Sequence, residues 1–145
     1  MPANLGIDSS KSLAQLTGVD WGDAPADARI LARERHAFRR TPIRELSNDA
    51  FVRCLDGGHD AQILVPVSLE RLRNDWDAVD LLCALLRADH FDWRGHPELV
   101  AALRDRVYSV ANAAGQITND LERLACEATI WRHYAEFERR LSVIQ

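Results

Sequence analysis

The sequence predicts an all-α protein folded as one compact domain of about six or seven helices. Three observations carry that expectation. Apolar residues recur at spacings of three and four along most of the chain, and period-two alternation is hard to find. The five prolines and seven glycines fall almost entirely where a helical pattern stops. Finally, 145 residues that are 47% hydrophobic and 28% charged, with four Trp and four Phe, supply enough apolar surface for one core.

Taken in order, Ser9 or Ser10 suits the cap of a short helix carrying Leu13 and Leu16, ended near Gly18. Pro25 suits the first turn of a second helix, with Ile30, Leu31 and Phe38 turned inward and Arg29, Arg33, Arg35 and Arg39 outward. Pro42 ends it, because a residue before proline, here Thr41, is pushed out of the α region. Ser47-Asn-Asp49 opens a third helix through Phe51, Val52 and Leu55, and Gly57-Gly58 stops it. A fourth runs over roughly 61–74 on Ile63, Leu64, Val67 and Leu72, with Pro66 either starting or kinking it. A fifth covers about 76–88 on Val79, Leu82, Leu85 and Leu86. The sixth, 97–114, begins at Pro97-Glu98, carries Leu99, Leu103, Val107 and Val110, and breaks at Gly115. In the last, 118–141, the stripe Leu121, Leu124, Ala125, Ala128, Trp131, Ala135 and Leu141 is expected to face the core, and Asn119 with Glu122 resembles a capping box. None of these helices is stable alone, so residues 1–145 are read as a single domain.

The net charge of −4 is unevenly distributed. Residues 1–27 hold four Asp against one Lys, residues 28–55 seven Arg against three acids, and residues 56–92 eight acids against three Arg. A modestly acidic total argues against nonspecific binding to nucleic acid, which depends on neutralising phosphates. No run approaches the roughly 20 apolar residues of a membrane span. The start has no basic segment followed by an apolar one, so no secretory leader is expected and the location is read as cytoplasmic.

Little in the chain suggests catalysis. Cys54, Cys83 and Cys126 are odd in number, far apart and set among apolar residues, which suits free buried thiols. The five histidines (His36, His59, His90, His96 and His133) form no i, i+4 pair, so neither a metal nor a cofactor is expected. There is no nucleophile elbow and no phosphate loop, and the pairs Asp75/Asp77 and Asp89/Asp92 read as caps or solvated charges. No residue is therefore expected to be catalytic. The stretch Arg29–Arg44 stays open between a solvated face, a surface that pairs with the acidic segments, and a nucleic-acid contact. Trp21, Trp76, Trp93 and Trp131 lie mostly at helix flanks, where plugs of the core or its edge outnumber interface anchors.

Four runs nevertheless stand in a recognisable order. They are Pro42-Ile-Arg-Glu-Leu46 with Leu55, Leu64-Val-Pro-Val-Ser-Leu-Glu-Arg-Leu72, Asp80-Leu-Leu-Cys-Ala-Leu-Leu86 and Trp93-Arg-Gly-His-Pro-Glu-Leu99. Ahead of them come Ser12–Leu16 and the turn Gly18-Val-Asp-Trp-Gly22. Together, over about residues 10–107, they resemble the immunity proteins of bacterial contact-dependent growth inhibition systems. Two places depart from that family's pattern: the turn Gly57–Gln62, and a shortened loop at Asn74–Leu82. The resemblance implies a protein that is not an enzyme. It implies one that binds the C-terminal toxin domain of a sister cell's surface effector in the cytosol, that toxin often being a nuclease. A basic nuclease cleft is met best by carboxylates, which steer association. On that logic Asp60, Asp75, Asp77, Asp89 and Asp92 are candidate toxin contacts, with Trp76 as their apolar anchor. The plainer reading is that these carboxylates cap helices and keep the protein soluble. The competing function is a helical nucleic-acid-binding regulator that uses the Arg29–Arg44 face.

Overall fold

A computed structural model describes residues 7–58, 60–72 and 79–142. The described residues form seven helices and no strand: α1 (Leu13–Thr17), α2 (Ile30–Arg40), α3 (Asn48–Asp56), α4 (Ala61–Leu72), α5 (Val79–Arg87), α6 (Pro97–Ala114) and α7 (Asp120–Ser142). A single 3₁₀ turn, Ile43–Glu45, sits between α2 and α3. The all-α expectation therefore holds.

Local chemistry sets most of the boundaries. Ser12 rather than Ser9 or Ser10 caps α1. Its hydroxyl accepts from the Gln15 N–H at 3.2 Å, and the Gln15 side chain accepts from the Ser12 N–H at 2.9 Å. Gly18 closes α1 with φ of 73°, a left-handed conformation that glycine adopts without strain. Pro25 does not start α2. It heads a separate turn closed by the Ala28 N–H on its carbonyl at 2.9 Å, and α2 begins at Ile30. Thr41 is extended ahead of Pro42 and ends α2 as expected. Ser47 caps α3 through the Ala50 N–H at 3.1 Å, and Asn119 accepts from the Glu122 N–H at 3.0 Å at the head of α7. Pro66 lies inside α4 without ending it.

α5 is the centre of the core. Six consecutive residues, Leu81–Leu86, are buried, because α3, α4, α6 and α7 pack around this one helix. A helix apolar on every side has to be enclosed in this way. α6 contributes Leu99, Leu103, Val107 and Val110 at helical spacing.

Two helices depart from the expected faces: α7 turns the other face inward, and α2 keeps Phe38 against the core with Arg29 and Arg33 outside but exposes Ile30 and Leu31 and buries Arg39. In α2, Ile30 is 74% exposed while Arg39 is 4% exposed. In α7 the buried residues are Ile130 and Phe137, with Cys126, Tyr134 and Leu141 packed partly against the core. The predicted stripe points outward, with Leu121 81%, Leu124 58% and Trp131 39% exposed; of its members only Leu141 packs against the core. α7 carries two apolar stripes, and the one that holds Ile130 and Phe137 is the one packed against the core, α7 lying against α5 and α6. Cys54 and Cys83 are buried free thiols, as expected, and Cys126 is half-buried.

Candidate functional site

The acidic segment does not form one face. Asp56, at the end of α3, holds Arg87 of α5 at 3.0 Å. Asp60 stands between α3 and α4 with φ of 58° and pairs with the buried Arg39. Arg39 also donates to Thr17 Oγ1 at 3.0 Å and to the Val19 carbonyl at 2.9 Å, and its guanidinium lies 4.6 Å from the Trp21 ring centroid. Asp60 is thus committed to fastening the N-terminal segment and α2 onto the core. Asp75, Trp76 and Asp77 lie outside the described residues.

Asp89 and Asp92 are exposed, on the turn between α5 and α6. The turn is stiff for reasons visible in its side chains. The Gly95 N–H donates to Asp92 Oδ1 at 3.1 Å, and His96 Nδ1 lies 2.9 Å from the Asp92 carbonyl. Beneath them Trp93 donates its indole N–H to the Ala88 carbonyl at 2.8 Å. Its ring meets Phe91 edge-on at 4.8 Å and Phe137 of α7 at 5.3 Å. The two carboxylates therefore ride on a buried aromatic floor.

Between this turn and the end of α7 lies an open cleft of about 250 Å³, lined by Asp89, Asp92, Trp93, Arg94, Phe137 and Arg140 among others. Both arginines are engaged at helix C-termini. Arg94 donates to the carbonyls of Arg140 and Leu141 at 3.1 Å each, and Arg140 donates to the Leu86 carbonyl. Guanidinium groups at that end of a helix satisfy its last carbonyls and oppose its dipole. Among the described residues, the exposed carboxylates have no such tie beyond the Asp92–Gly95 bond and the 3.5 Å approach of Asp89 to His90.

Half of the arginines in the basic stretch Arg29–Arg44, namely Arg33, Arg39 and Arg40, are engaged within the molecule. Arg40 holds Asp20 at 3.3 Å and Asp23 at 2.8 Å, Arg53 pairs with Glu34, and Arg33 donates to the Ala26 carbonyl at 2.8 Å. Of the three readings left open for Arg29–Arg44, pairing with acidic segments describes Arg39 and Arg40 directly. Among the described residues, no three His, Cys, Asp or Glu side chains are grouped so as to hold a metal ion. No described helix is long and apolar enough to cross a membrane.

Burial pushes the Cys54 and Cys83 thiols up to about 11. Glu138 is held below the ordinary carboxylate range by a two-pronged bond from Arg104, at 2.7 and 2.8 Å. These shifts belong to the core and to the α6–α7 seam; none falls in the cleft.

Sequence reasoning missed one surface. Trp131 meets Tyr108 of α6 at 5.5 Å and Tyr134 at 5.9 Å, and Tyr108 is 58% exposed. With Leu121 and Leu124 they form an aromatic and aliphatic strip on the outside of α7. Its members Leu121, Leu124 and Trp131 belong to the stripe that the sequence singles out as inward-facing, and the signal for its exposure is the competing pair Ile130 and Phe137.

Fold and surface together define an all-α domain with two exposed features, a carboxylate-rimmed cleft at one end of α7 and an apolar strip along its outer side. Comparison with models of known families, with characterised proteins and with solved structures finds no match to this chain.

Proposed function

We propose that this chain is an immunity protein that binds and neutralises the C-terminal toxin domain, a nuclease, of a cognate contact-dependent growth inhibition effector. It acts in the cytoplasm, as a binding partner and not as a catalyst. The observation that carries this reading is the ordered run of motifs from Pro42 to Leu99. Its apolar members Ile43, Leu46, Leu55, Leu64, Leu69, Leu72, Leu81, Leu82, Leu85, Leu86, Trp93 and Leu99 all belong to one buried cluster. The resemblance thus rests on residues that build the core of this domain; of the two departures, Gly57–Gln62 spans the end of α3 and the start of α4, and Asn74–Leu82 ends in the first turn of α5.

Within this reading Asp89 and Asp92 are the toxin contacts, because they are exposed and carried on a rigid aromatic floor. A lysine or arginine of the toxin enters the adjoining cleft, where two carboxylates meet its charge and ring edges pack its stem. Asp60 is withdrawn from the contact set, since freeing it would strand Arg39. Asp75, Trp76 and Asp77 remain contacts on the strength of the sequence alone. The nucleic-acid alternative has less support, because Arg39 is buried and Arg40 is already held by two aspartates.

The test is co-expression with the toxin domain encoded immediately upstream, read by growth rescue and co-purification. Rescue with a stoichiometric complex is expected. Replacing Asp89 and Asp92 by Asn should then slow association and flatten its salt dependence. A folded, lethal toxin that is neither bound nor neutralised would sink the proposal.

A further inference from the structure

We infer that the outer strip of α7 pairs with the same strip of a second copy of this chain, the two helices running parallel, to give a weak dimer. Leu121, Leu124, Ala128, Trp131 and Ala135 follow one another at spacings of three, four, three and four. That is the seam of a two-stranded coiled coil over two heptads, on the side of α7 turned away from Ile130 and Phe137. Tyr108 and Tyr134 pack beside it at Trp131, and Leu121 and Leu124 stand open to solvent.

The residues bordering the seam carry opposite charge on its two edges. One edge holds Asp120 and Glu127, the other Arg132 and Arg139. In a parallel pair each residue of the first edge faces the residue five positions on in the other copy. Glu127 then meets Arg132 of the second copy, twice by symmetry, while Arg139 stays with Glu136 of its own helix. An antiparallel pair brings edge to like edge, acid facing acid and arginine facing arginine. Arg132 is exposed and has no hydrogen bond or ion pair among the described residues, so it is free for this role. Glu127 is held only at 3.9 Å, by Arg123. Glu138 stands at the next seam position and is engaged by Arg104, which ends the seam after Ala135. Two heptads fall short of the roughly three to four that sustain a coiled coil unaided, so the dimer forms only at high concentration.

The full chain should be followed by sedimentation equilibrium across roughly a hundredfold range of concentration. A monomer–dimer equilibrium is expected. Leu121→Glu with Leu124→Glu should abolish it without changing helical content or thermal midpoint, because both side chains are already in solvent. Arg132→Glu should weaken it about tenfold, and adding Glu127→Arg in the same chain should restore it. A monomer throughout the range would overturn the proposal, as would a dimer indifferent to these substitutions. So would a strip that Leu121→Glu shows to bind only the toxin domain, since the second copy would then not be its occupant.

Discussion

Arg39 can enter the interior because Asp60, Thr17 Oγ1 and the Val19 carbonyl each accept from it, with the Trp21 ring packed against its plane. Its Nε alone finds no partner. Removing one member of a buried ion pair strands the other, at about 3–5 kcal/mol when burial is complete. Asp60 keeps some contact with water, so Arg39→Ala is expected to cost about 3 kcal/mol in urea unfolding. Asp60→Asn keeps the shape and an acceptor and should cost distinctly less. Equal losses would mean that packing of the arginine stem, not its charge, is what matters. The buried thiols make a second prediction at this scale. Burial raises Cys54 and Cys83 from an ordinary value of 9.0 to about 11. The unfolded chain therefore loses these protons first, and the stabilisation they confer is intact below pH 9 and drains away between 9 and 11. Urea midpoints should fall over that window, and a Cys54→Ala, Cys83→Ala chain should fall less steeply over it.

The helices divide by what their sequence could disclose. Starts and stops at Ser47, Asn119, Gly57, Thr41-Pro42 and Pro97 were legible, because each depends on a side chain bonding its own neighbourhood or on a fixed φ. Ser12 was legible in principle through Gln15 three residues on, the reciprocal partner of a capping box. The inward face of α7 was not legible. Periodicity reports that a stripe exists, and α7 has two, so the choice falls to the helices that pack on it. α2 misled for a related reason: a lone Arg39 looks solvated until Asp60 arrives from 21 residues away. The assignment of faces in α7 is open to a direct measurement. Ile130→Ala should cost about 3 kcal/mol, as large-to-small changes in a core do. Leu121→Ala should stay within about 0.5 kcal/mol, as exposed substitutions do. Comparable losses at the two positions would reverse the face that α7 turns inward.

Over the whole molecule, charge that is segregated along the sequence is mixed in space. The basic block 28–55 reaches back to Asp20 and Asp23 through Arg40 and forward to Asp60 through Arg39, and it satisfies its own Glu34 through Arg53. Asp56, from the acidic block, is met by Arg87 of the same block. The blocks therefore do not become faces, and this is why only part of the candidate site could be read in advance. Asp89 and Asp92 stand exposed because a short turn carries them, whereas the pairing of Asp60 with Arg39 was not legible because the two are distant in sequence. The same mixing bears on the competing function. Seven arginines free to neutralise phosphates would give binding to duplex DNA or RNA that weakens steeply with salt, by nearly one power of the salt concentration per phosphate engaged. With Arg39 buried and Arg40 and Arg53 paired, the isolated chain should show no saturable binding to either duplex at physiological salt. A logarithmic slope of roughly −4 or steeper would instead mean that four or more arginines engage phosphate, so that Arg29, Arg35 and Arg44 are joined by at least one that leaves its partner. In that case the ion pairs around α2 would be a closed resting state of a nucleic-acid-binding surface, and the Arg29–Arg44 reading would displace the one proposed above.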